Sequence, residues 1–206
     1  MARDTQSIVK MSRREGYALH PKAHKALVKR SALPGQQNTG GYNRTKSSQY
    51  SLQLREKQKV KRLYGLLERQ FAKLMTEASK ARGQSGATLL QYLERRLDNV
   101  IYRAGLAPSR RAARQMVTHG HYMLNGRRVD VPSIRVKEGD VIVVRDHSKG
   151  SDYFKRLEDT SPAPAAYPAW LKVNRKKLEV TITGIPTRDD AEPDIKEQLI
   201  VEYYSR

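Results

Sequence analysis

The spacing of apolar residues changes once along the chain, and this change constrains the fold more than any other feature. Before Gly120, apolar side chains recur every three or four residues, as along one face of an α-helix. After Gly120 they alternate with polar residues, as on one face of a β-strand. Because the helical part comes first and the strands follow, the pattern predicts an α+β fold in which a mainly helical N-terminal domain precedes a small antiparallel sheet.

Three helical segments are predicted in the first part of the chain. The segment 51–81 has a continuous apolar stripe, but Gly65 weakens it as a single helix. The segment 88–105 opens with Thr-Leu-Leu-Gln, the pattern of a capping box, and is predicted to be one unbroken helix. The segment 109–120 is predicted to be a helix with Ser109 as its N-cap and a glycine as its stop.

Short strands are predicted in the second part. Residues 122–129 contain Asn125-Gly126 between two short alternating runs, which predicts a hairpin with a type I′ turn. Residues 134–136 and 141–144 are predicted to form a second strand pair. Residues 178–183 alternate apolar and polar side chains, which predicts a half-buried strand.

The nearly neutral C-terminal part is predicted to contain a connector and a short helix. Residues 161–168, Ser-Pro-Ala-Pro-Ala-Ala-Tyr-Pro, are predicted to form a stiff connector. Residues 189–194 are acidic and precede Ile195, Leu199 and Tyr203, whose spacing predicts a short helix with these acids near its N-terminus.

Positive charge is concentrated towards the front of the chain. The 206 residues carry 40 Lys+Arg against 21 Asp+Glu, a formal net charge of +19. Residues 1–90 carry +14, residues 91–150 carry +6, and residues 151–206 carry −1. A surface selected only for solubility mixes both signs, so this distribution indicates contact with a polyanion. The alternative, that Lys and Arg only solvate helix faces, explains single basic runs but not so large an excess.

Residues 1–46 interleave basic residues with proline and glycine turns. This composition predicts a basic extension with short helical pieces that becomes ordered against nucleic acid. The alternative is a flexible tail. No helix in the basic region has the exposed apolar stripe of a membrane-surface helix, so the polyanion is expected to be RNA rather than a membrane.

Several functional classes are not expected. The sequence contains no cysteine, which excludes disulfides and Cys-ligated metals. No apolar run approaches the roughly 18 residues of a membrane span, and the polar N-terminus does not resemble a secretion signal. Phosphate-binding loops, dinucleotide fingerprints and nucleophile elbows are absent. His119 and His121 have no third ligand nearby, and Asp189-Asp190 is interpreted as a solvated acidic patch. We therefore expect a protein that is not an enzyme and needs no metal or cofactor.

Two arginines lie in an unusual place. Arg110 and Arg111 occupy the first turn of the helix after Ser109, where the helix dipole disfavours cations. Contact with a phosphate explains this choice, because guanidinium groups and free backbone N–H groups bind the same anion. The alternative is a pair of ordinary exposed arginines. In the preceding helix, Arg96, Asn99 and Arg103 are predicted to form a polar stripe away from the apolar face.

The segment 93–144 carries the signature of a known module. Its motifs are Leu93-Glu94-Arg95-Arg96-Leu97-Asp98-Asn99-Val100, Ser109-Arg110-Arg111-Ala112-Ala113-Arg114-Gln115, His119-Gly120-His121, Asn125-Gly126 and Val136-Lys137-Glu138-Gly139-Asp140. Together they strongly resemble the S-four RNA-binding module, a pair of helices followed by a small antiparallel sheet. The module occurs in several families.

The flanking segments narrow the resemblance to one of these families. They include Arg13-Arg14-Glu15-Gly16, Pro34-Gly35-Gln36, Gln53-Leu54-Arg55-Glu56-Lys57-Gln58-Lys59, Lys61-Arg62-Leu63-Tyr64-Gly65, Leu67-Glu68-Arg69-Gln70-Phe71, Pro168-Ala169-Trp170-Leu171 and the ending Leu199-Ile200-Val201-Glu202-Tyr203-Tyr204-Ser205-Arg206. Over essentially the whole chain, this sequence resembles the family of bacterial small-subunit ribosomal protein S-four.

The resemblance implies a function. Members of the family are primary binders of 16S rRNA that dock on its 5′ domain and nucleate assembly of the small-subunit body in the cytoplasm. It also implies contact with ribosomal protein S-five, a role with that protein and S-twelve in decoding accuracy, and a position close to mRNA where it enters the subunit.

The resemblance also implies a domain order. Residues 1–46 are expected to form the extension, and residues 47–91 a helical domain completed by the C-terminal segment 187–206. Residues 92–186 are expected to form the inserted S-four module. Many members carry four cysteines near the N-terminus that hold zinc or an iron–sulfur cluster. Val9 and Ser12 stand where the first pair is expected, so this chain is a cysteine-free variant.

The basic and polar residues of these motifs are the candidate RNA contacts. Tyr64, Tyr102, His119, His121 and Asn125 are candidates for stacking or hydrogen bonding, although Tyr102 is equally consistent with a partly buried core position. The predicted RNA-binding residues are Arg13, Arg14, Lys46, Arg55, Lys57, Lys59, Lys61, Arg62, Tyr64, Arg69, Arg95, Arg96, Asn99, Arg103, Ser109, Arg110, Arg111, Arg114, Gln115, His119, His121, Asn125, Arg127 and Arg128.

Two other functions use the same module. An RNA-modifying enzyme such as a pseudouridine synthase needs a separate catalytic domain, for which this chain has no room. A factor that acts on stalled ribosomal particles needs only the module and a basic tail. It would lack the helical region 51–82 and the Ile-Val-Glu-Tyr-Tyr-Ser ending.

Overall fold

A computed structural model describes residues 4–30, 32–35 and 48–205 of the chain. The chain divides into two compact units. The first contains the residues before Leu89 together with those from Asp194 onward, and the second is Leu89–Pro193. The first unit is helical and the second combines helices with an antiparallel sheet, so the predicted α+β class is confirmed.

Among the described residues, four helices begin the first unit. They are α1 (Ile8–Glu15), α2 (Pro21–Lys29), α3 (Gln49–Leu63) and α4 (Glu68–Lys80). Gly65 adopts a positive φ of 67° between α3 and α4, which interrupts the predicted segment 51–81 where the sequence suggested a weak point. Phe71, Val60 and Ala78 are fully buried, as the apolar stripe predicts.

The helix expected over residues 88–105 is two helices. They are α5 (Ser85–Glu94) and α6 (Leu97–Arg103). The predicted capping box is wrong, because α5 begins at Ser85 and the Thr88 hydroxyl donates to the carbonyl of Gln84 one turn earlier. The helix expected after Ser109 is present as α7 (Arg110–Thr118), and the hydroxyl of Ser109 caps it by accepting from the N–H of Ala112 at 3.2 Å.

Long-range backbone bonds interrupt the helix at Arg95 and Arg96. Leu97 N–H donates to the carbonyl of Ile134 at 2.9 Å, and Val136 N–H donates to the carbonyl of Arg95 at 2.9 Å. Arg96 forms an isolated antiparallel bridge with Arg135. These bonds pull the chain out of helical geometry, and they also explain why residues 134–136 do not form the predicted strand.

The second unit contains a five-stranded antiparallel sheet of order β2-β1-β3-β5-β4. Its strands are β1 (Tyr122–Leu124), β2 (Arg127–Val129), β3 (Val141–Val144), β4 (Leu171–Asn174) and β5 (Glu179–Ile182). The hairpin between β1 and β2 is confirmed, with positive φ at Asn125 (49°) and Gly126 (78°) as a type I′ turn requires. The strand expected over residues 178–183 is confirmed as β5, whereas β4 was not predicted.

Inward side chains of the sheet form the core of this unit with α6 and α7. Tyr122, Ile142 and Val180 are fully buried against Ile101 and Val117. Between β3 and β4 lie three single-turn helices, α8 (Asp146–Lys149), α9 (Asp152–Lys155) and α10 (Leu157–Thr160), followed by the proline-rich segment 161–168.

The C-terminal helix returns to the first unit. This helix, α11 (Glu197–Tyr204), packs against α3. The short terminal helix that the apolar spacing predicts is therefore present. Gln53 Nε2 donates to the carboxylate of Glu202 at 2.7 Å, and Lys196 N–H donates to the carboxylate of Glu56 at 2.9 Å. The acidic residues 189–194 precede the helix and lie outside its first turn.

Candidate nucleic-acid interface

A buried carboxylate organises the arginines of α6 and α7. Glu94 is completely buried at the end of α5 and binds the guanidinium of Arg103 through two bonds of 2.9 and 3.1 Å. The side-chain amide of Asn99 donates to the same carboxylate at 2.7 Å. Asn99 in turn accepts a bond of 2.8 Å from Nε of Arg110. Glu94 therefore fixes the guanidinium of Arg110 through one intermediate, the side chain of Asn99.

Arg110 has a second acidic partner. Its Nη2 lies 3.0 Å from the carboxylate of Glu192, which also lies 3.5 Å from Arg103. The guanidinium of Arg110 covers the ring of Tyr102 at 4.6 Å from its centroid, and Tyr102 is half-buried against the core. Since Glu192 compensates its charge, Arg110 has a structural reason to stand in the first turn of α7 apart from contact with a phosphate.

Asp98 forms a second buried centre. Only 4% of this residue is exposed, and it binds Arg96 through bonds of 3.1 and 2.8 Å. Arg114 reaches the same carboxylate from α7 at 3.3 Å. Such pairs keep buried carboxylates compensated, since an unpaired buried charge is strongly destabilising.

The predicted polar stripe of Arg96, Asn99 and Arg103 is therefore wrong as a description of the surface. Arg96 and Asn99 are 4% and 2% exposed, and Ser109 is also buried. The prediction assumed one continuous helix over residues 88–105. Because the helix is interrupted at Arg96, the side chains of later residues point in directions that differ from those of a continuous helix. The structure brings these predicted residues together as a buried polar network.

Other predicted residues of the second unit face solvent. They are Arg111, Gln115, His119, Asn125, Arg127 and Arg128, all of which are exposed. The side chain of Asn125 also holds the hairpin in place, because it donates to Asp140 at 2.8 Å and accepts from the N–H of Val141 at 2.9 Å.

Four side chains, two of them from this exposed set, meet around Gly120, which lies just after α7 and has a positive φ of 71°. A Cβ atom at Gly120 would lie 2.6 Å from Nε of Arg128, so the guanidinium of Arg128 rests against the glycine backbone. The ring centroids of His119 and His121 lie 6.0 Å apart on either side of it. We call Gly120 and the side chains of His119, His121, Arg128 and Arg145 the Gly120 surface.

Arg145 belongs to this surface although sequence reasoning did not select it. Its Nη1 donates to the carbonyl of Gly120 at 3.1 Å. Burial, and then the nearby charges of His119 and Arg145, lower the pKa of His121, so this half-buried ring favours its neutral form. His121 Nδ1 lies 3.0 Å from the hydroxyl of Ser148. The one sequence signal for Arg145 is its position directly after a predicted strand.

Two further arginines lie on the two backbone segments that pair at the α5–α6 interruption. Nε of Arg95 donates to the carbonyl of Val136 at 2.8 Å. The guanidinium of Arg135, which was not predicted, covers the ring of Tyr92 at 4.4 Å from its centroid.

In the first unit, the predicted cations of α3 pair with carboxylates. Arg55 and Arg62 both contact the buried carboxylate of Glu15. Lys57 and Lys61 contact Glu68 at 2.7 and 3.0 Å. Burial raises the pKa of Glu15, although both arginines act in the opposite direction. Partial burial raises the pKa of Glu68, but hydrogen bonds from Lys57, Lys61 and Tyr204 together outweigh burial and lower this pKa to about 2.

The remaining predicted residues of this unit differ in exposure. Lys59 donates to the backbone carbonyl of Asp194 and pairs with Glu56 at 2.8 Å. Arg13 donates to the carbonyl of Ala32 at 2.7 Å. Tyr64 is 3% exposed, so its ring is not presented to solvent. Arg14 and Arg69 are exposed, and Lys46 lies outside the residues that the structure describes.

Comparison with known proteins identifies the family. The model of the ribosomal protein S4/S9 N-terminal domain matches residues 3–94, and that of the S4 domain matches residues 95–142. A small ribosomal subunit protein uS4 from Clostridioides difficile is 49% identical, with each chain covered completely. Those from Herpetosiphon aurantiacus and Chlorobium luteolum are 48% and 47% identical, again over the full length of both chains.

The chain belongs to the uS4 family. The family resemblance found in the sequence is confirmed, and with it the expectation of a structural, RNA-binding ribosomal protein rather than an enzyme. As a uS4 family member this chain carries an S4 domain whose matched range, residues 95–142, contains Asp98 and Gly120 with His119, His121 and Arg128. Glu94 is the last residue matched by the N-terminal domain model, and Arg145 lies three residues beyond the S4 match.

Neither a metal centre nor a membrane span is found in the described part of the uS4 family chain. Within residues 4–30, 32–35 and 48–205, no three His, Cys, Asp or Glu side chains are grouped so that they could hold a metal ion. No helix of those ranges is both long and apolar enough to cross a bilayer.

Proposed function

We propose that this chain is a primary binding protein of 16S rRNA. It docks on the 5′ domain of that RNA and nucleates assembly of the small-subunit body in the cytoplasmic ribosome. Membership of the uS4 family supports this proposal, and the named relatives are small ribosomal subunit proteins. The net charge of +19 supplies the attraction to a polyanion.

The observation that carries the proposal is the exposed basic edge of the S-four domain. Arg127 and Arg128 lie side by side on β2, which is an edge strand of the sheet. Arg111, Gln115 and His119 are exposed on α7 and directly after it. Because the base edges of double-stranded RNA lie in a deep groove, such side chains bind through phosphates and shape.

The predicted RNA-binding residues divide into two roles in this proposal. Arg111, Gln115, His119, His121, Asn125, Arg127 and Arg128 contact RNA directly, with Arg95 beside the α5–α6 interruption. The buried residues Arg96, Asn99 and Ser109, and the ion-paired Arg103, Arg110 and Arg114, hold α5, α6 and α7 in position. They support the interface through the fold.

The first unit supplies a second contact with the same RNA. Arg14 and Arg69 are its exposed members, and Arg13, Lys46, Arg55, Lys57, Lys59, Lys61, Arg62 and Tyr64 complete the predicted set. In this proposal residues 1–46 act as the extension that follows the RNA surface. Residues 47–91 with 187–206 form one RNA-binding domain, and residues 92–186 form the other.

The finer parts of the proposal come from the family resemblance. They are contact with ribosomal protein S-five, a contribution with S-five and S-twelve to decoding accuracy, and a position close to mRNA where it enters the subunit. The nearly neutral segment 151–206 supports a protein-facing role for part of the surface, since its net charge is −1.

Binding of a 16S rRNA 5′-domain transcript tests the proposal. The variant Arg127→Ala/Arg128→Ala removes two cations from the β1–β2 hairpin. Its matched control, Lys176→Ala/Lys177→Ala, removes an adjacent exposed pair from the β4–β5 hairpin at the other edge of the sheet. We expect the first variant to lose at least about tenfold in affinity and roughly one unit of salt slope per lost phosphate contact. Equal affinities for the two variants would contradict the proposed interface.

A further inference from the structure

A groove in the second unit lies apart from its exposed basic edge. It is an open groove of about 540 Å³ between the turn after α6, the proline-rich segment 161–168 and the loop before α11. Tyr102, Tyr167 and Pro164 contribute ring surfaces to its lining, and Asp189 and Asp190 contribute carboxylates. Flat ring surfaces beside carboxylates are the combination that binds extended peptides with cationic side chains.

The proline-rich wall of this groove is held rigidly. The carbonyl of Gly105 accepts a bond of 2.9 Å from the hydroxyl of Ser161 and one of 2.8 Å from Nη1 of Arg175. Arg175 also donates to the carbonyl of Ser161 at 2.7 Å. A Cβ atom at Gly105 would lie 2.6 Å from Cδ of Pro164, so the two segments are in close contact. A preformed wall lowers the entropic cost of binding.

The groove is lined by carboxylates, whereas the chain as a whole is strongly positive. Arg103 lies in the lining, but the buried carboxylate of Glu94 binds its guanidinium through two bonds. Of the acidic residues in the loop before α11, Asp189 and Asp190 line the groove, whereas Glu192 is already paired with Arg103 and Arg110. Asp189 is exposed, while Asp190 accepts bonds from the backbone and hydroxyl of Thr187. A phosphate is repelled here, and a cationic side chain is attracted.

We propose that this groove binds an extended cationic segment of another protein. Its Lys or Arg side chains face Asp189 and Asp190, and its proline or other apolar side chains pack on Tyr167 and Pro164. The proposal is independent of RNA binding, because it uses a surface whose charge is opposite to that of the exposed basic edge.

The free full-length chain and a synthetic ten-residue peptide of alternating arginine and proline provide the test. Because the chain carries a net charge of +19, a cationic peptide is repelled from most of its surface. We expect saturable binding that shifts the amide resonances of Gly105, Ala166 and Tyr167. Asp189→Arg is expected to weaken binding by about tenfold or more, and Asp189→Asn by less. The matched control Asp152→Arg reverses an exposed charge outside the groove and should leave binding unchanged.

Three results would overturn the proposal. They are the absence of saturable peptide binding, equal binding by wild type and Asp189→Arg, and shifts at the three amides caused by a ten-residue uridine oligonucleotide instead of the peptide. The last result would assign the groove to single-stranded RNA. None of these outcomes depends on the binding of 16S rRNA, which is measured separately.

Discussion

The second unit has two sets of arginines: one set pairs with carboxylates, and the other is exposed to solvent. Arg96, Arg103, Arg110 and Arg114 each pair with a carboxylate of Glu94, Asp98 or Glu192. Arg127 and Arg128 stand exposed on an edge strand. Both sets lie within the segment of one RNA-binding domain, and the sequence analysis predicted the same role for them.

The difference shows how buried acids divide the basic residues of an RNA-binding protein. Each buried carboxylate needs a cation beside it, because its desolvation is otherwise uncompensated. The network at α5, α6 and α7 therefore uses arginines for stability, and the hairpin leaves its arginines available to phosphates. The first unit repeats the first case at Glu15, whose buried carboxylate pairs with Arg55 and Arg62 of α3.

The largest expected effect comes from removing the central carboxylate of the network. Glu94→Gln removes the completely buried carboxylate that accepts two charged bonds from Arg103. We expect a loss of about 3 kcal/mol in the free energy of unfolding, measured by urea denaturation. The control Glu138→Gln changes an exposed side chain and is expected to cost under about 0.5 kcal/mol. If both variants lose a similar free energy of unfolding, the pairing of arginines with buried carboxylates does not stabilise the fold as proposed.

Substitution of Gly120 tests whether the position of the exposed Arg128 matters for RNA binding. Gly120→Ala places a side chain at a φ of 71° and against Arg128, whereas Gly139→Ala meets a similar φ of 85° with nothing within 4 Å. Each is expected to cost about 1–2 kcal/mol, because L-residues are disfavoured in this conformation. Only Gly120→Ala should also weaken RNA binding in a filter assay, since it displaces Arg128. If the two variants bind RNA equally well, the position of Arg128 does not matter for RNA binding.

The smallest expected effect on stability is pH-dependent and concerns the paired cations of α3. The pKa of Glu68 is lowered from 4.5 to about 2. A lowered pKa in the folded state stabilises the fold above the unfolded value, and this contribution disappears as the pH falls from 4.5 towards 2. Because 46% of this side chain is exposed, we expect Glu68→Gln to cost under about 1 kcal/mol at neutral pH.

Unfolding experiments on wild type and Glu68→Gln across this range check the sign. The difference in stability should shrink as the pH falls. If the difference in stability stays constant down to pH 2, or grows, the contacts of the ionised Glu68 with Lys57 and Lys61 are not its cause.

Local signals predicted the elements that depend on local chemistry. Gly65 marks the end of α3, Ser109 caps α7, and Asn125-Gly126 forms the β1–β2 turn. Each depends on the conformational preference or hydrogen bonding of residues within a few positions of one another. The strand β5 and the helix α11 followed from apolar spacing in the same way.

Distant contacts produced the features that the sequence did not reveal. The interruption at Arg96 contains neither glycine nor proline and depends on backbone bonds to Ile134 and Pro132. The burial of Asn99 follows from that interruption. Arg110 meets Glu192, a residue 82 positions away, so no local pattern distinguishes it from Arg111.

The most direct test of the account compares Arg114→Ala with Arg127→Ala. Each removes one arginine from the S-four domain, and in each the free energy of unfolding and the salt dependence of 5′-domain RNA binding are measured. We predict that Arg114→Ala lowers stability by about 1–3 kcal/mol with an unchanged salt slope, because it leaves Asp98 less well paired. Arg127→Ala should leave stability within about 0.5 kcal/mol and reduce the slope by about one. A reduced slope for Arg114→Ala together with an unchanged slope for Arg127→Ala would contradict the division between paired and RNA-facing arginines.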